Sequence, residues 1–349
     1  MSEIHFTNFY LYVLTTKDNA GNTATRTYTI KKRKIPKVGE IVNYTPDTPS
    51  TGYDLSTAKS GYKSAQTIDG KYDPTTWKIM EVDENGNVTK LFGVPSSSQS
   101  TVYFKGSTGY NNGVYLLNDI CKSRYGNASL GATVRSLNIE DIESKMNSKG
   151  IAARNAYKSG TVQYGTTRKY TGSNTKYPAI YAHEKYSGTN ISNVSNGTQI
   201  IAGNIDIIAQ AKMNPNGKLG SDDIYTTLPE TSETTGPSKT NLTCTQTYYG
   251  FSNTPSSYFD DTNFHSMIFG TGTYFWLASR YVSCDSSSSY ANFGLRYVNN
   301  SNLYGRRLFN SSGLSYDNSF RLAPVVSLGS GIQVKSGSGT KRDPYVIGK

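Results

Sequence analysis

The chain is poor in the residues that carry most protein chemistry. Its 349 residues include three cysteines and three histidines. Neither the number nor the spacing of Cys121, Cys244 and Cys284 suggests a disulfide framework. His5, His183 and His265 lie far apart, and none has a second ligand at metal spacing. No stretch reaches the roughly 20 apolar residues of a membrane span. The start, MSEIHFTNFYLYVL, lacks the basic n-region of a signal peptide and reads as a domain entered midway. Nucleophile-elbow, zinc-protease and phosphate-loop patterns are missing, and GSTGYNNG (106–113) lacks the Lys-Ser/Thr pair of a phosphate cradle. The adjacent acids Asp222-Asp223 and Asp260-Asp261 read as solvated loop residues. The expectation is a protein that is not an enzyme and holds no cofactor or metal.

A local absence is sharper. From Leu277 to Ile332 there is no Lys, Glu, Gln, Met, Trp, His or Thr, although Lys and Thr abound elsewhere. What remains is RYVSCDSSSSYANFGLRYVNNSNLYGRRLFNSSGLSYDNSFRL followed by apolar APVVSL. Codons ending in a pyrimidine cannot encode Lys, Glu, Gln, Met or Trp, so randomising the adenines of Asn codons leaves this signature. Tyr, Ser, Gly, Asn and Arg are also what binding loops favour, because they join rigid aromatic area to adaptable hydrogen bonding. A turn-rich polar β surface explains Ser, Asn and Gly equally well. Neither account explains the missing His and Thr.

The length permits one large or two ordinary domains. The hydrophobic fraction is 35%, with Tyr supplying 28 residues, so the core is lean and much of the chain is loop or insertion. The net charge of +11 is spread out. The only cluster, Lys31 to Lys34, follows a strand-like segment and precedes Ile35-Pro36, which fits an interdomain linker better than a nucleic-acid surface.

Residues 9–31 alternate as two strands around Asp18-Asn19-Ala20-Gly21-Asn22. TWKIMEVDENGNVTKLFGVP (76–95) is a second hairpin, turned at Glu84-Asn85-Gly86. DENGN resembles part of a calcium loop but lacks the downstream acid. Helical spacing of Val114, Leu117, Ile120 and Cys121 predicts a helix over 114–125, with Cys121 as a small buried hydrophobe. Asn138 is placed to cap a helix in IEDIESKM, with Lys145 in its last turn. From about 150 to 240 the composition predicts a long, loop-rich insertion.

The order W-K-I-M hairpin, GYNNGVYLLNDIC, TVRSLNIEDIESKM, YFWLASRYV, APVVSL and the tail GSGTKRDPYVI resembles the variable proteins of diversity-generating retroelements, of gut-bacterial or phage type. Residues 9–31 resemble the last hairpin of a bacterial immunoglobulin-like repeat. The resemblance implies an α+β chain: residues 1–34 are an immunoglobulin-like remnant with a basic linker. Residues 35–349 are then a C-type lectin-like domain with a mixed, largely antiparallel sheet, two helices and the insertion. It further implies a C-terminal region, about 281–322, rewritten at adenines by a reverse transcriptase. Fixed scaffold positions then fall on Trp276, Leu277, Ala278, Ser279, Arg280, Phe293, Arg296, Val298, Leu308, Pro324, Val325, Val326 and Leu328. The family usually carries Arg before this Pro; here Ala323 stands there, with Arg321 nearby. Lectin calcium-sugar motifs are absent.

On this reading the ligand-binding positions lie between the fixed ones. In the first stretch they are Tyr281, Ser283, Asp285, Ser287, Tyr290 and Asn292. Next come Tyr297, Asn299, Asn300, Asn302, Tyr304, Arg306 and Arg307. Asn310, Ser315, Tyr316, Asp317, Asn318 and Phe320 complete the set. In ANFGLRYVNN, Ala291, Phe293 and Leu295 alternate with Asn292 and Arg296, so one face packs and the other is displayed. The implied function is a receptor or adhesin on a bacterial surface or phage particle, binding a macromolecular ligand, foremost a protein. The alternative is a glycan-binding lectin-type adhesin or phage tail receptor-binding protein. Nucleic acid and direct membrane insertion are not expected. An enzyme of the formylglycine-generating type shares only the lectin-like fold, since Cys244 and Cys284 are not a convincing reactive pair.

Overall fold

A computed structural model describes residues 2–6, 9–31, 35–47, 52–55, 66–156, 254–284, 291–300, 302–310 and 315–349. It also describes five short strands between 157 and 253, so most of the expected insertion, His183 included, lies outside the described residues. The chain divides into two compact units, Met1–Pro36 and Lys37–Lys349.

The first unit is an antiparallel sheet of β1 (Ser2–Phe6), β2 (Phe9–Lys17) and β3 (Thr23–Lys31). The expected two strands therefore gain a third, paired along the other edge of β2. Their turn is built by Asp18: Oδ1 accepts from the N–H groups of Ala20 (2.9 Å) and Asn22 (2.8 Å), and Oδ2 from Asn22 Nδ2 (2.9 Å). Gly21 takes φ +89°, which a side chain resists.

The second unit repeats that turn chemistry. β4 (Ile41–Val42) pairs with β5 (Trp77–Val82), and β5 with β6 (Val88–Gly93). Between β5 and β6, Asp83 receives Asn87 N–H and Asn87 Nδ2, both at 2.7 Å, while Gly86 takes φ +73°. The two hairpins thus share an Asp-x-x-Gly-Asn turn. After β7 (Val102–Lys105) comes helix α1 (Gly106–Tyr125), which starts two turns before the expected Val114. GSTGYNNG is therefore helical. Its glycines let the helix approach closely: a Cβ on Gly113 would lie 2.5 Å from Leu295 Cδ1, and one on Gly109 3.0 Å from Phe104 Cβ.

β8 (Thr133–Ser136) leads to α2 (Ile139–Glu143). Asn138 accepts from Asp141 N–H (2.9 Å) and Asp141 accepts from Asn138 N–H (3.0 Å), a reciprocal capping box. The helix ends before Lys145, which instead reaches Glu81 at 3.4 Å. Helices α3 (Ser148–Ala156) and α4 (Thr262–Phe269) precede the long strands β9 (Tyr274–Cys284), β10 (Ala291–Asn299) and β11 (Asn302–Asn310). Then follow β12 (Asp317–Phe320), β13 (Pro324–Ser327), β14 (Gln333–Ser336) and β15 (Val346–Gly348). One antiparallel sheet runs β8-β13-β6-β5-β4, a second β9-β10-β11, and β12 pairs with β7. Among the described residues the class is α+β, with mostly antiparallel strands and few helices.

Both faces of the central strands are covered. Trp276 and Ala278 of β9 join one core with Ile79, Leu91, Val326 and the apolar side of α1. Their neighbours Phe275 and Leu277 join a second core with Met80, Phe92, Val325 and side chains of α2 and α4. Burial on both faces explains why YFWLAS reads as a continuous apolar run instead of an alternating one. Cys121 sits inside the first core, fully buried, and burial pushes its thiol pKa up, so it behaves as a hydrophobe. Arg124, 3% exposed, ties α1 to the loop before β5. Its Nε and Nη2 donate to Asp73 at 2.9 and 2.7 Å, and Tyr125 Oη donates to the same carboxylate at 2.9 Å. No described helix is long and apolar enough to cross a membrane.

Candidate ligand-binding face

β9, β10 and β11 form an antiparallel ribbon, and the residues expected to bind ligand fall on it in three groups. At one end Tyr281 stands opposite Gly294, Ser283 opposite Asn292, and Asn292 opposite Asn310. At the other, Asn299 and Asn302 flank the tight connection, where Asn300 takes φ +48°, a conformation Asn tolerates better than most residues. Asn299 lies seven positions beyond Asn292 on β10, so at about 3.3 Å per residue the ends stand roughly 23 Å apart. Asp285, Ser287 and Tyr290 lie outside the described residues.

The third group converges. After Ser315, which is exposed, the chain returns beside β11: Tyr316 N–H donates to Leu308 O at 2.8 Å and Asn318 Nδ2 to Arg307 O at 3.0 Å. Arg306 Nε donates to Asn318 Oδ1. The Arg307 guanidinium lies 3.8 Å from the centre of the Tyr316 ring, a cation–π contact that holds both side chains at the surface. Asp317 is exposed and accepts from Tyr103 Oη at 3.0 Å. Burial, and secondarily this carboxylate, raises the Tyr103 phenol pKa. Arg306 and Arg307 are thus tied to Asn318 and Tyr316, and Asp317 to Tyr103, so guanidinium and phenol groups along the β11–β12 edge are held by neighbours instead of swinging free.

Beneath them is an aromatic layer. Tyr297, expected on the displayed face, is only 9% exposed. Its ring stacks on Phe320 (4.5 Å, 10°), meets Tyr274 edge-on (6.4 Å) and lies 5.9 Å from Tyr304. Phe320 in turn packs edge-on against Trp276 at 4.5 Å, so it too supports the face more than it presents itself. Trp276 is fully buried, and its Nε1 donates to Val102 O at 2.8 Å, tying the ribbon to β7. The expected simple alternation in β10 also fails: Gly294 through Val298 are all buried, Arg296 completely. Arg296 faces the α2 side, where its charge opposes the rise that burial imposes on the Glu140 carboxyl. Residues covered on both faces cannot alternate between inside and outside.

Two residues of the face were missed. Tyr274 is 41% exposed beside Tyr297 and Phe320. Tyr103 was legible from period-2 alternation, since its neighbours Val102 and Phe104 are buried. Arg321 closes the layer: its Nη2 donates to Ser97 O at 3.0 Å, while its Nε is buried without a hydrogen-bond partner. That burial lowers the pKa of its guanidinium. Among the described residues there is no group of three or more His, Cys, Asp or Glu that could hold a metal ion. What the face offers is two guanidinium groups, phenols and amides, suited to holding a carboxylate-bearing or polar surface. Comparison with protein-family profiles, with curated proteins and with solved structures finds no match for this chain.

Proposed function

We propose that the β9–β11 ribbon with β12 is the ligand-binding face of a receptor or adhesin, built on a C-type lectin-like fold. In this reading the chain is a variable protein of a diversity-generating retroelement, working outside a bacterial cell or on a phage particle. Its partner is a macromolecule, foremost a protein. The immunoglobulin-like N-terminal unit acts as a stalk. One observation carries the reading: positions assigned to the fixed scaffold and those assigned to variation separate by burial. Trp276, Leu277, Arg296, Val298, Leu308, Val325 and Val326 are each 0% exposed. Arg306, Ser315, Asp317 and Asn300 are exposed, with Tyr304, Arg307, Tyr316 and Asn318 partly so; buried Tyr297 on the variable side and partly exposed Leu328 on the scaffold side are exceptions. A site that tolerates rewriting needs this division, because surface substitutions away from special contacts usually change stability by under about 0.5 kcal/mol.

The test is a library in which Tyr304, Arg306, Arg307, Tyr316 and Asn318 are replaced through pyrimidine-ending codons. Most members should fold with melting temperatures near the parent's, and selection against unrelated proteins should yield binders that differ at these positions. Widespread misfolding would sink the reading. So would a gene with no nearby near-repeat of the 277–328 coding region carrying Asn codons at these positions.

A further inference from the structure

A second concavity lies in the second unit and shares no residue with the ribbon. Its volume is about 480 Å³, within the range of small-molecule sites, roughly 300–1,000 Å³. Four segments meet there: the chain entering β4, Lys78 of β5, α4, and the connection between β14 and β15. Its walls are held by backbone bonds, Gly39 N–H to Ile79 O and Ile41 N–H to Gly339 O, both at 2.8 Å. Gly339 takes φ +74° and packs so closely that a Cβ there would lie 2.5 Å from the Tyr345 ring. The walls are therefore set before any ligand arrives.

The lining combines two chemistries. Lys37 and Lys78 bring ammonium groups, and neither has an ion-pair partner among the described residues. The one acid in the lining, Glu40, is fixed against the wall: its Oε2 accepts from Lys37 N–H at 2.7 Å and from Tyr345 Oη at 2.9 Å. Both donors are neutral, so its charge persists, and two lysines against one glutamate leave the lining with one net positive charge. Asn263, Ser266 and Thr340 add an amide and two hydroxyls that both donate and accept, and Met267 adds a buried apolar floor.

We propose that this groove binds a small polyhydroxylated ligand bearing one carboxylate or sulfate group, the chemistry of an acidic saccharide. The two ammonium groups, one in excess of the single carboxylate of the lining, take the anion, the amide and hydroxyl side chains match sugar hydroxyls, and Met267 lies under the C–H face. A simple anion would use only the lysines and leave most of the groove unfilled.

The full chain is titrated calorimetrically with galacturonate, glucose 6-sulfate, glucose and sodium sulfate at low ionic strength. Both acidic sugars bind one site and glucose does not. Lys37→Gln and Lys78→Gln each weaken binding about tenfold or more with an unchanged melting temperature. Ser266→Phe fills the groove without changing its charge and abolishes binding. Sulfate binding as tightly as glucose 6-sulfate overturns the saccharide assignment. Absence of binding by either acidic sugar, or binding that survives both lysine substitutions, overturns the site itself.

Discussion

Tyr297→Ala separates a supporting residue from a displayed one. The ring is 9% exposed, stacked on Phe320 and flanked by Tyr274 and Tyr304, with Trp276 and Tyr304 as its cross-strand partners. Truncating a buried aromatic to Ala costs about 3–5 kcal/mol, of which aromatic pairing supplies about 0.5–1.5. The lower end applies here, since the layer lies close to the surface and can partly collapse. At about 2–4 °C per kcal/mol for a domain of this size class, the melting temperature should fall by roughly 6–12 °C. Tyr316→Ala is the control. It removes a partly exposed cation–π contact with Arg307 worth about 0.5–1 kcal/mol, a shift of roughly 1–4 °C. Thermal unfolding followed by near-ultraviolet circular dichroism reads both. A loss under 2 °C for Tyr297→Ala, or equal losses for the two variants, would refute the aromatic layer as the support of the face.

Three further outcomes follow from the packing. Gly113→Ala should destabilise by about 1–3 kcal/mol despite Ala's better helix propensity, because its Cβ would meet Leu295 at 2.5 Å, and Leu295→Ala in the same chain should recover part of the loss in chemical denaturation. Asp73→Asn leaves the guanidinium of Arg124, 3% exposed, without its carboxylate; urea unfolding should show a loss of about 3 kcal/mol. Burial raises the phenol pKa of Tyr44 and Tyr125 above the ordinary value of 10.0. A group whose folded pKa is raised contributes stability that is complete below the unfolded pKa and is lost as pH rises beyond it. The melting temperature should therefore hold below pH 10 and drop above it, and Tyr125→Phe should flatten that drop.

The hairpin turns were legible because their chemistry is local. Asp18 and Asp83 each bond groups within four residues, and Gly21 and Gly86 supply the positive φ. The Asn138 cap was legible for the same reason. The start of α1 was not, since two glycines in GYNNG read as helix breakers until Leu295 and Leu308 lie against them. Lys145 was expected to end a helix, yet the chain leaves the helix first and the side chain pairs across to Glu81.

The candidate face shows the same boundary. Residue types between 277 and 332 marked the segment, and the apolar runs on either side marked what anchors it. Sequence alone determined which stretches turn, cap and run apolar, because those properties rest on groups a few residues apart. It could not say which tyrosines are presented. Tyr297 and Tyr304 are the same residue type on facing strands, and only the return of β12, bringing Phe320 onto one of them, decides that Tyr297 is buried while Tyr304 stays partly exposed. That choice belongs to the tertiary structure, because burial depends on what segments distant in the chain place on top of a residue.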